Sequence, residues 1–131
     1  MFVDASAFVA ILVSENDGDE LEGRLVTSAS PAITSPLAIF ETTLAVATRR
    51  DLTFAAAEIR TLSYLDSAGV TVVPITAEIG RLAITACARY GKGTGSPAKL
   101  NMGDCFAYAC AKAHAVPLLY KGDEFVHTDL A

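Results

Sequence analysis

Short apolar runs alternate with helix-length amphipathic segments along the whole chain, and this alternation constrains the fold more than any other feature. Residues 1–3, 32–34, 70–75 and 117–120 read as strands. Between them, residues 5–13, 19–27, 36–50, 54–67, 76–90 and 102–113 have helical composition or repeat apolar residues at helical spacing. Local punctuation agrees. Asn16-Asp17-Gly18 breaks the chain, Ser35-Pro36 supplies a cap and a first-turn proline, and Gly69 follows a helix end. Residues 91–97 form a glycine-rich loop, and residues 128–130 are expected to add a last edge strand. Short strands separated by long helices need right-handed crossovers. The expected fold is therefore α/β, a mostly parallel central sheet with helices on both faces. At 131 residues, with no repeat or linker, a single domain over 1–131 is expected. In such sheets chemistry sits beyond the carboxyl ends of the strands.

Composition removes several classes. With 52% hydrophobic and 19% charged residues the chain has enough apolar surface to fold rather than stay disordered. The start, Met1-Phe2-Val3-Asp4-Ala5-Ser6, carries no basic region ahead of an apolar stretch, so no signal peptide is read. The early apolar run at 7–13 is too short to span a bilayer, so no membrane association is expected and a cytoplasmic location is. Cys87, Cys105 and Cys110 form no CxxC or Cys/His cluster and fit reduced, mostly buried thiols. His114 and His127 do not complete a Ser-His-Asp or Cys-His set. The loop Gly91-Lys92-Gly93-Thr94-Gly95-Ser96 is no P-loop, because Gly93 stands where Ser or Thr is needed and a helix precedes it.

Most acids read as solvated or capping groups: Glu15, Asp17, Asp19, Glu20 and Glu22 around one loop, and Asp51, Glu58, Asp66 and Glu78 elsewhere. Three resist that reading. Asp4 directly follows the first strand, where it can cap the next helix. Glu41 interrupts the apolar face made by Leu37, Ala38, Leu44 and Ala45, and an acid is rarely buried without a partner. Asp104 opens a helix on the face of Ala107, Tyr108 and Ala111, with Asn101 as the expected cap. Three carboxylates near one end of a sheet repel one another unless a cation joins them. Hard oxygen donors suit Mg²⁺ or Mn²⁺, with positions left for a phosphate. A fourth acid follows the 117–120 strand in Lys121-Gly122-Asp123-Glu124-Phe125.

The formal net charge of -5 at first disfavours a nucleic-acid partner. Its distribution reverses that. From Arg81 to Lys121 there are six basic residues and one acid, +5 against -10 for the rest. A basic segment beside an acidic metal pocket is what a nuclease needs, since cations track the phosphate backbone. Lys92, Lys99 and Lys121 are the candidate substrate-binding cations.

These residues also carry a family resemblance over nearly the whole chain. Phe2-Val3-Asp4-Ala5-Ser6-Ala7, Glu41 in its apolar helix, Tyr90-Gly91-Lys92-Gly93, Pro97-Ala98, Leu100-Asn101-Met102-Gly103-Asp104-Cys105-Phe106, Pro117-Leu118-Leu119-Tyr120-Lys121-Gly122, Phe125 and Thr128-Asp129 together resemble the VapC-type toxins of the PIN-domain nucleases. The resemblance implies a three-layer α/β/α fold and Mg²⁺- or Mn²⁺-dependent endoribonuclease activity. It also implies a cognate antitoxin occluding the site, and a homodimer. Asp4, Glu41 and Asp104 match the family's acidic centre and are the candidate metal ligands. Ser6 matches a hydroxyl near the metal or phosphate. Where the family commonly has Asp before the final Phe, this chain has Glu124, preceded by Asp123, so either can be the fourth catalytic acid.

The leading expectation is thus a metal-dependent ribonuclease toxin acting on RNA. A non-cleaving RNA- or partner-binding module on the same fold is the alternative, and it leaves the buried like charges without a purpose. A phospho-receiver does not fit, because Asp4 is followed by Ala5 rather than a second acid and Ile75 by Thr76.

Overall fold

A computed structural model describes all residues, 1–131. The order is β1 (Phe2–Val3), α1 (Ala5–Leu12), α2 (Gly18–Val26), β2 (Ile33–Thr34), α3 (Pro36–Arg49), α4 (Phe54–Ser67), β3 (Thr71–Val72), α5 (Ala77–Tyr90), α6 (Met102–Ala113), β4 (Leu118–Leu119) and a 3-10 turn, Phe125–His127. The four strands form one sheet in the order β3-β2-β1-β4, and every pairing is parallel.

Strand alternation builds the layers. Phe2 and Leu118 pack with α5 and α6 through Ile79, Ala83, Ala86, Cys105 and Ala109. Their neighbours Val3 and Leu119 point the other way, onto Phe8, Leu21, Leu25 and Leu65 of α1, α2 and α4. The result is the expected α/β/α sandwich. The chain runs from β1 outward to β2 and β3, then returns to place β4 on the free side of β1. That reversal opens a crevice beyond the carboxyl ends of β1 and β4, where open α/β sheets bind ligands.

Caps set the helix starts as read. Ser35 accepts the Ala38 N–H with Pro36 in the first turn, Thr53 accepts from Ala56, and Thr76 from Ile79. Each strand is shorter than its sequence run. Residues 70–75 pair over only two positions, because β3 is the edge strand and Pro74 offers no N–H to extend the ladder.

One expectation is corrected: residues 128–130 form no edge strand. The Thr128 hydroxyl donates to the Phe125 carbonyl at 2.8 Å and accepts the Leu130 N–H at 3.1 Å, so local turns take the groups a ladder needs. The glycine-rich loop is tied at its neck, where Lys92 N–H donates to the Leu100 carbonyl and Leu100 N–H to that of Tyr90.

Candidate active site

The crevice gathers acids from four separate segments. Asp4 follows β1 and is 5% exposed. Its Oδ2 caps α1 by accepting the Ser6 N–H at 3.0 Å and also accepts the Ser6 hydroxyl at 2.5 Å. Ser6 Oγ in turn accepts the Lys121 backbone N–H at 3.0 Å. This relay ties the end of β1 to the segment after β4. Burial pushes the Asp4 carboxyl above the ordinary range, the Ser6 hydrogen bonds partly offset it, and the charge of Glu124 adds to the rise.

Asp104 sits in the first turn of α6 in a capping box. Its Oδ2 accepts the Asn101 N–H at 2.9 Å while Asn101 Oδ1 accepts the Asp104 N–H at 2.9 Å. Desolvation, opposed by the Asn101 bond and helped by the charges of Asp4 and Glu124, pushes it up to about 6. The expected cap and the unusual acid are therefore one feature.

Glu41 lies on α3 at the border of its buried face rather than deep within it, and is half-buried. Its carboxylate rests on Gly103, where an added Cβ would collide with both oxygens. Desolvation first, then the charges of Asp4 and Asp104, push it up to about 7, and no hydrogen bond or cation offsets them. Glu124 lies against Gly122, whose φ of 106° favours glycine and whose Cβ would strike the Glu124 carboxylate. Glu124 is the late acid whose charge reaches Asp4 and Asp104. Asp123 is exposed and lines a neighbouring cleft with Lys99 and His127.

None of Asp4, Glu41, Asp104 and Glu124 has a basic side chain within ion-pair distance. Lys121 reaches the site through its backbone. Its ammonium is bound by Glu15 and lies 3.1 Å from Asp17, and Arg49 also pairs with Glu15. Glu15 is thus a mostly covered ion-pair centre rather than the solvated acid expected from its neighbours. Lys92 lines an apolar groove between α5 and α6. Gly103, Gly122 and the Glu15 cluster were not singled out by sequence. A glycine one residue before an acid in a helix's first turn is the signal that marks Gly103.

The donors fit a hard divalent ion. As they stand, no three Asp, Glu, His or Cys side chains enclose a common point. Mg²⁺ asks for less, since it keeps several waters and takes one or two carboxylates plus substrate phosphate. Asp4 and Asp104, both anchored by hydrogen bonds, meet that requirement, and the uncompensated charge of four acids supplies the attraction.

A family model described as PIN domain matches residues 1–130. A VapC ribonuclease of Rhizobium meliloti is 42% identical, covering 98% of each chain. Ribonuclease VapC of Mycolicibacterium smegmatis is 41% identical over 100% of this chain and 98% of its own. Ribonuclease VapC42 of Mycobacterium tuberculosis is 37% identical over 99% and 96%. In fold, the chain is similar to the crystal structure of Mycobacterium tuberculosis VapC20, a sarcin–ricin loop cleaving toxin, with a TM-score of 0.75, 19% identity, and 99% and 95% of the two chains covered. With the acids at the crevice and these relatives spanning nearly the full length, the chain belongs to the PIN-domain family, among the VapC ribonucleases.

Proposed function

We propose that this protein is a metal-dependent endoribonuclease, the toxin of a toxin–antitoxin pair, that hydrolyses RNA phosphodiester bonds. One observation carries the reading: burial and then the neighbouring charges of Asp4, Asp104 and Glu124 raise the carboxyls of Asp4, Glu41 and Asp104, and none of the four acids has a cationic partner. Clustered anions gain nothing for a module that only binds a polyanion. A divalent cation turns the same charge into attraction for phosphate.

Asp4, Asp104 and Glu41 are the residues that would hold Mg²⁺ or Mn²⁺. When bound, such an ion supplies Lewis acidity toward the phosphodiester and toward water. Asp4 is kept in place by Ser6, and Asp104 by Asn101, so neither needs to reorganise. Glu41 has no competing hydrogen bond, which leaves its carboxylate free to orient the attacking water beside the ion. Glu124, rather than Asp123, is the late acid supported by its reach to Asp4 and Asp104. Ser6, Lys92 and Lys99 are the side chains we assign to the RNA strand, and Lys121 contributes its backbone N–H.

The partner that restrains such a toxin is an antitoxin covering this acidic crevice. The apolar groove lined by Ala83, Ile84, Met102 and Phe106 supports association with a protein, and a homodimer is the second assembly we infer. No helix is long and apolar enough to cross a membrane. A cytoplasmic site of action, one domain over residues 1–131, and a transfer RNA or ribosomal RNA loop as substrate complete the proposal.

The test is to sequence RNA ends after brief expression of wild type and Asp4→Asn, and to assay the purified chains with Mg²⁺, with Mn²⁺ and with chelator. Asn caps a helix as well as Asp does, so Asp4→Asn keeps the fold. Cleavage is expected to need the metal and to fall at least about a hundredfold in Asp4→Asn and Asp104→Asn. Undiminished cleavage in both variants would overturn the proposal. RNA binding without cutting would establish a binding module instead.

A further inference from the structure

Lys121 is tied to the α1–α2 unit at both of its ends. Its backbone N–H donates to Ser6 Oγ at 3.0 Å, and the Ser6 hydroxyl donates to Asp4 Oδ2 at 2.5 Å. Its ammonium is bound by Glu15, with Asp17 3.1 Å away. Glu15 lies in the turn between α1 and α2 and uses both of its oxygens. Oε2 takes Lys121, and Oε1 takes Arg49 of α3 at 3.4 Å. The Glu15 side chain is only 17% exposed, against 39% and 40% for the two partners of the Lys112–Asp129 pair. An exposed pair contributes little, whereas a covered carboxylate depends on its cation. The backbone of the turn is fixed as well. Glu15 N–H donates to the Ala10 carbonyl at 2.9 Å, and the Glu15 carbonyl accepts the Gly18 N–H at 2.9 Å. A Cβ at Gly18 would lie 2.6 Å from the Ala10 carbonyl oxygen, so glycine lets α2 start this close to α1.

We infer that Glu15 is a positioning residue for the metal centre, holding Lys121 so that its N–H keeps Ser6 against Asp4. This role rests on the nuclease reading. A ligand carboxylate whose supporting hydrogen bonds are already fixed does not have to be ordered when an ion binds. The same tether sets where the next turn starts, in which the Glu124 carboxylate rests on Gly122. It also removes the Lys121 ammonium from the cations expected to meet RNA. Two carboxylates on one ammonium leave no surplus positive charge to attract a phosphate.

The test compares Glu15→Gln, Lys121→Met and Lys121→Arg in the whole chain. Asp129→Ala is the control, since it breaks an ion pair whose other bonds go to Tyr90 and Tyr108. Three quantities are read: exchange of the Lys121 amide proton in chelator, Mn²⁺ affinity from the free-ion EPR signal, and RNA cleavage across Mg²⁺ concentrations. Melting temperatures check the fold. Glu15→Gln and Lys121→Met are expected to speed amide exchange and to weaken both ions by at least about threefold, short of the tenfold or more that loss of a ligand's direct partner costs. Lys121→Arg keeps a cation for Glu15 and should recover metal affinity relative to Lys121→Met. Asp129→Ala should lower the melting temperature without moving amide exchange or metal affinity. KM for RNA at saturating Mg²⁺ should not move in Glu15→Gln. A Lys121 that contacts phosphate directly gives another result: freeing it in Glu15→Gln lowers KM and Lys121→Met raises it, and that pair of shifts overturns the role. Unchanged metal affinity in folded Glu15→Gln also overturns it, and the nuclease reading survives if cleavage still needs the metal. If Glu15→Gln does not fold, equal metal affinity in Lys121→Met and Lys121→Arg overturns the role instead. Wild type that neither binds Mn²⁺ nor cuts RNA overturns both.

Discussion

The Glu41 carboxylate packs directly on the α-carbon of Gly103, in space that any side chain at 103 would fill. This contact brings α3 against α6 and lets an acid on each helix share one field with Asp4. Gly103→Ala should therefore displace Glu41 while leaving the helix intact. Ala is intrinsically better than Gly in a helix by about 1 kcal/mol, which offsets part of the clash. The expected outcome is a cleavage rate at least about tenfold lower, about 1.4 kcal/mol in the barrier, with a small change in melting temperature. Full activity in Gly103→Ala would remove Glu41 from the mechanism.

Folding stability without metal should depend on pH in a defined direction. Burial raises Asp4, and Asp104 and Glu41 are pushed up to about 6 and about 7. Their unfolded values lie near 4, so the folded chain binds more protons in between. Stability contributed by these groups is full below about pH 4 and is lost as pH rises through about 6 and 7. In chelator, the melting temperature should fall from about pH 5 to about pH 8, and Mg²⁺ should restore it most at the upper end. Asp4→Asn should flatten the fall. A melting temperature that rises over this range in chelator would contradict the arrangement of charges.

Ser6 should act on Asp4 as well as on the stability of the fold. Its hydroxyl gives Asp4 a hydrogen bond and takes one from the Lys121 N–H, so both ends of the crevice depend on one oxygen. Ser6→Ala keeps the backbone N–H that makes the helix cap. The variant leaves a backbone donor unsatisfied, at about 1–3 kcal/mol where water cannot replace the oxygen. Activity is expected to fall about tenfold or more, with weaker apparent affinity for Mg²⁺. Equal Mg²⁺ dependence in Ser6→Ala and wild type would limit Ser6 to capping.

The residues made some of this legible and not the rest, for physical reasons. Periods of two and about 3.6 separate strand from helix locally, so α4 and α6 emerge with the bounds read from sequence. Strand length is not local, because a ladder ends where its partner does, as at β3. The same limit misplaced residues 128–130, where Thr128 looks like a strand former but bonds its own turn. Asp4, Glu41 and Asp104 stood out because each conflicts with the apolar pattern around it. Gly103 and the Lys121–Glu15 pair did not, since their meaning lies in partners brought close only by folding, 106 residues apart for the pair.

The carboxyl end of the chain should be a stability element independent of catalysis. Asp129 accepts the Tyr108 hydroxyl at 2.6 Å and the Lys112 ammonium at 2.9 Å, which pins the last turn to α6 beside Ala115 and Pro117, past the helix end opposite Asp104. Those bonds, Tyr108 first, hold the Asp129 carboxyl below the usual range. Tyr108→Phe deletes one bond at nearly constant volume and should cost about 1 kcal/mol. Asp129→Ala should cost a similar amount, and the double variant less than the sum, because the two side chains share that bond. The depressed carboxyl adds stability above about pH 4 that is lost as it protonates, so the penalty of Asp129→Ala should shrink in more acidic solution. Denaturant melts measure each cost, and RNA cleavage at saturating Mg²⁺ should stay within about twofold of wild type because neither side chain is hydrogen-bonded to Asp4, Glu41, Asp104 or Glu124. Additive costs would mean that Tyr108 and Asp129 stabilise the fold through separate partners.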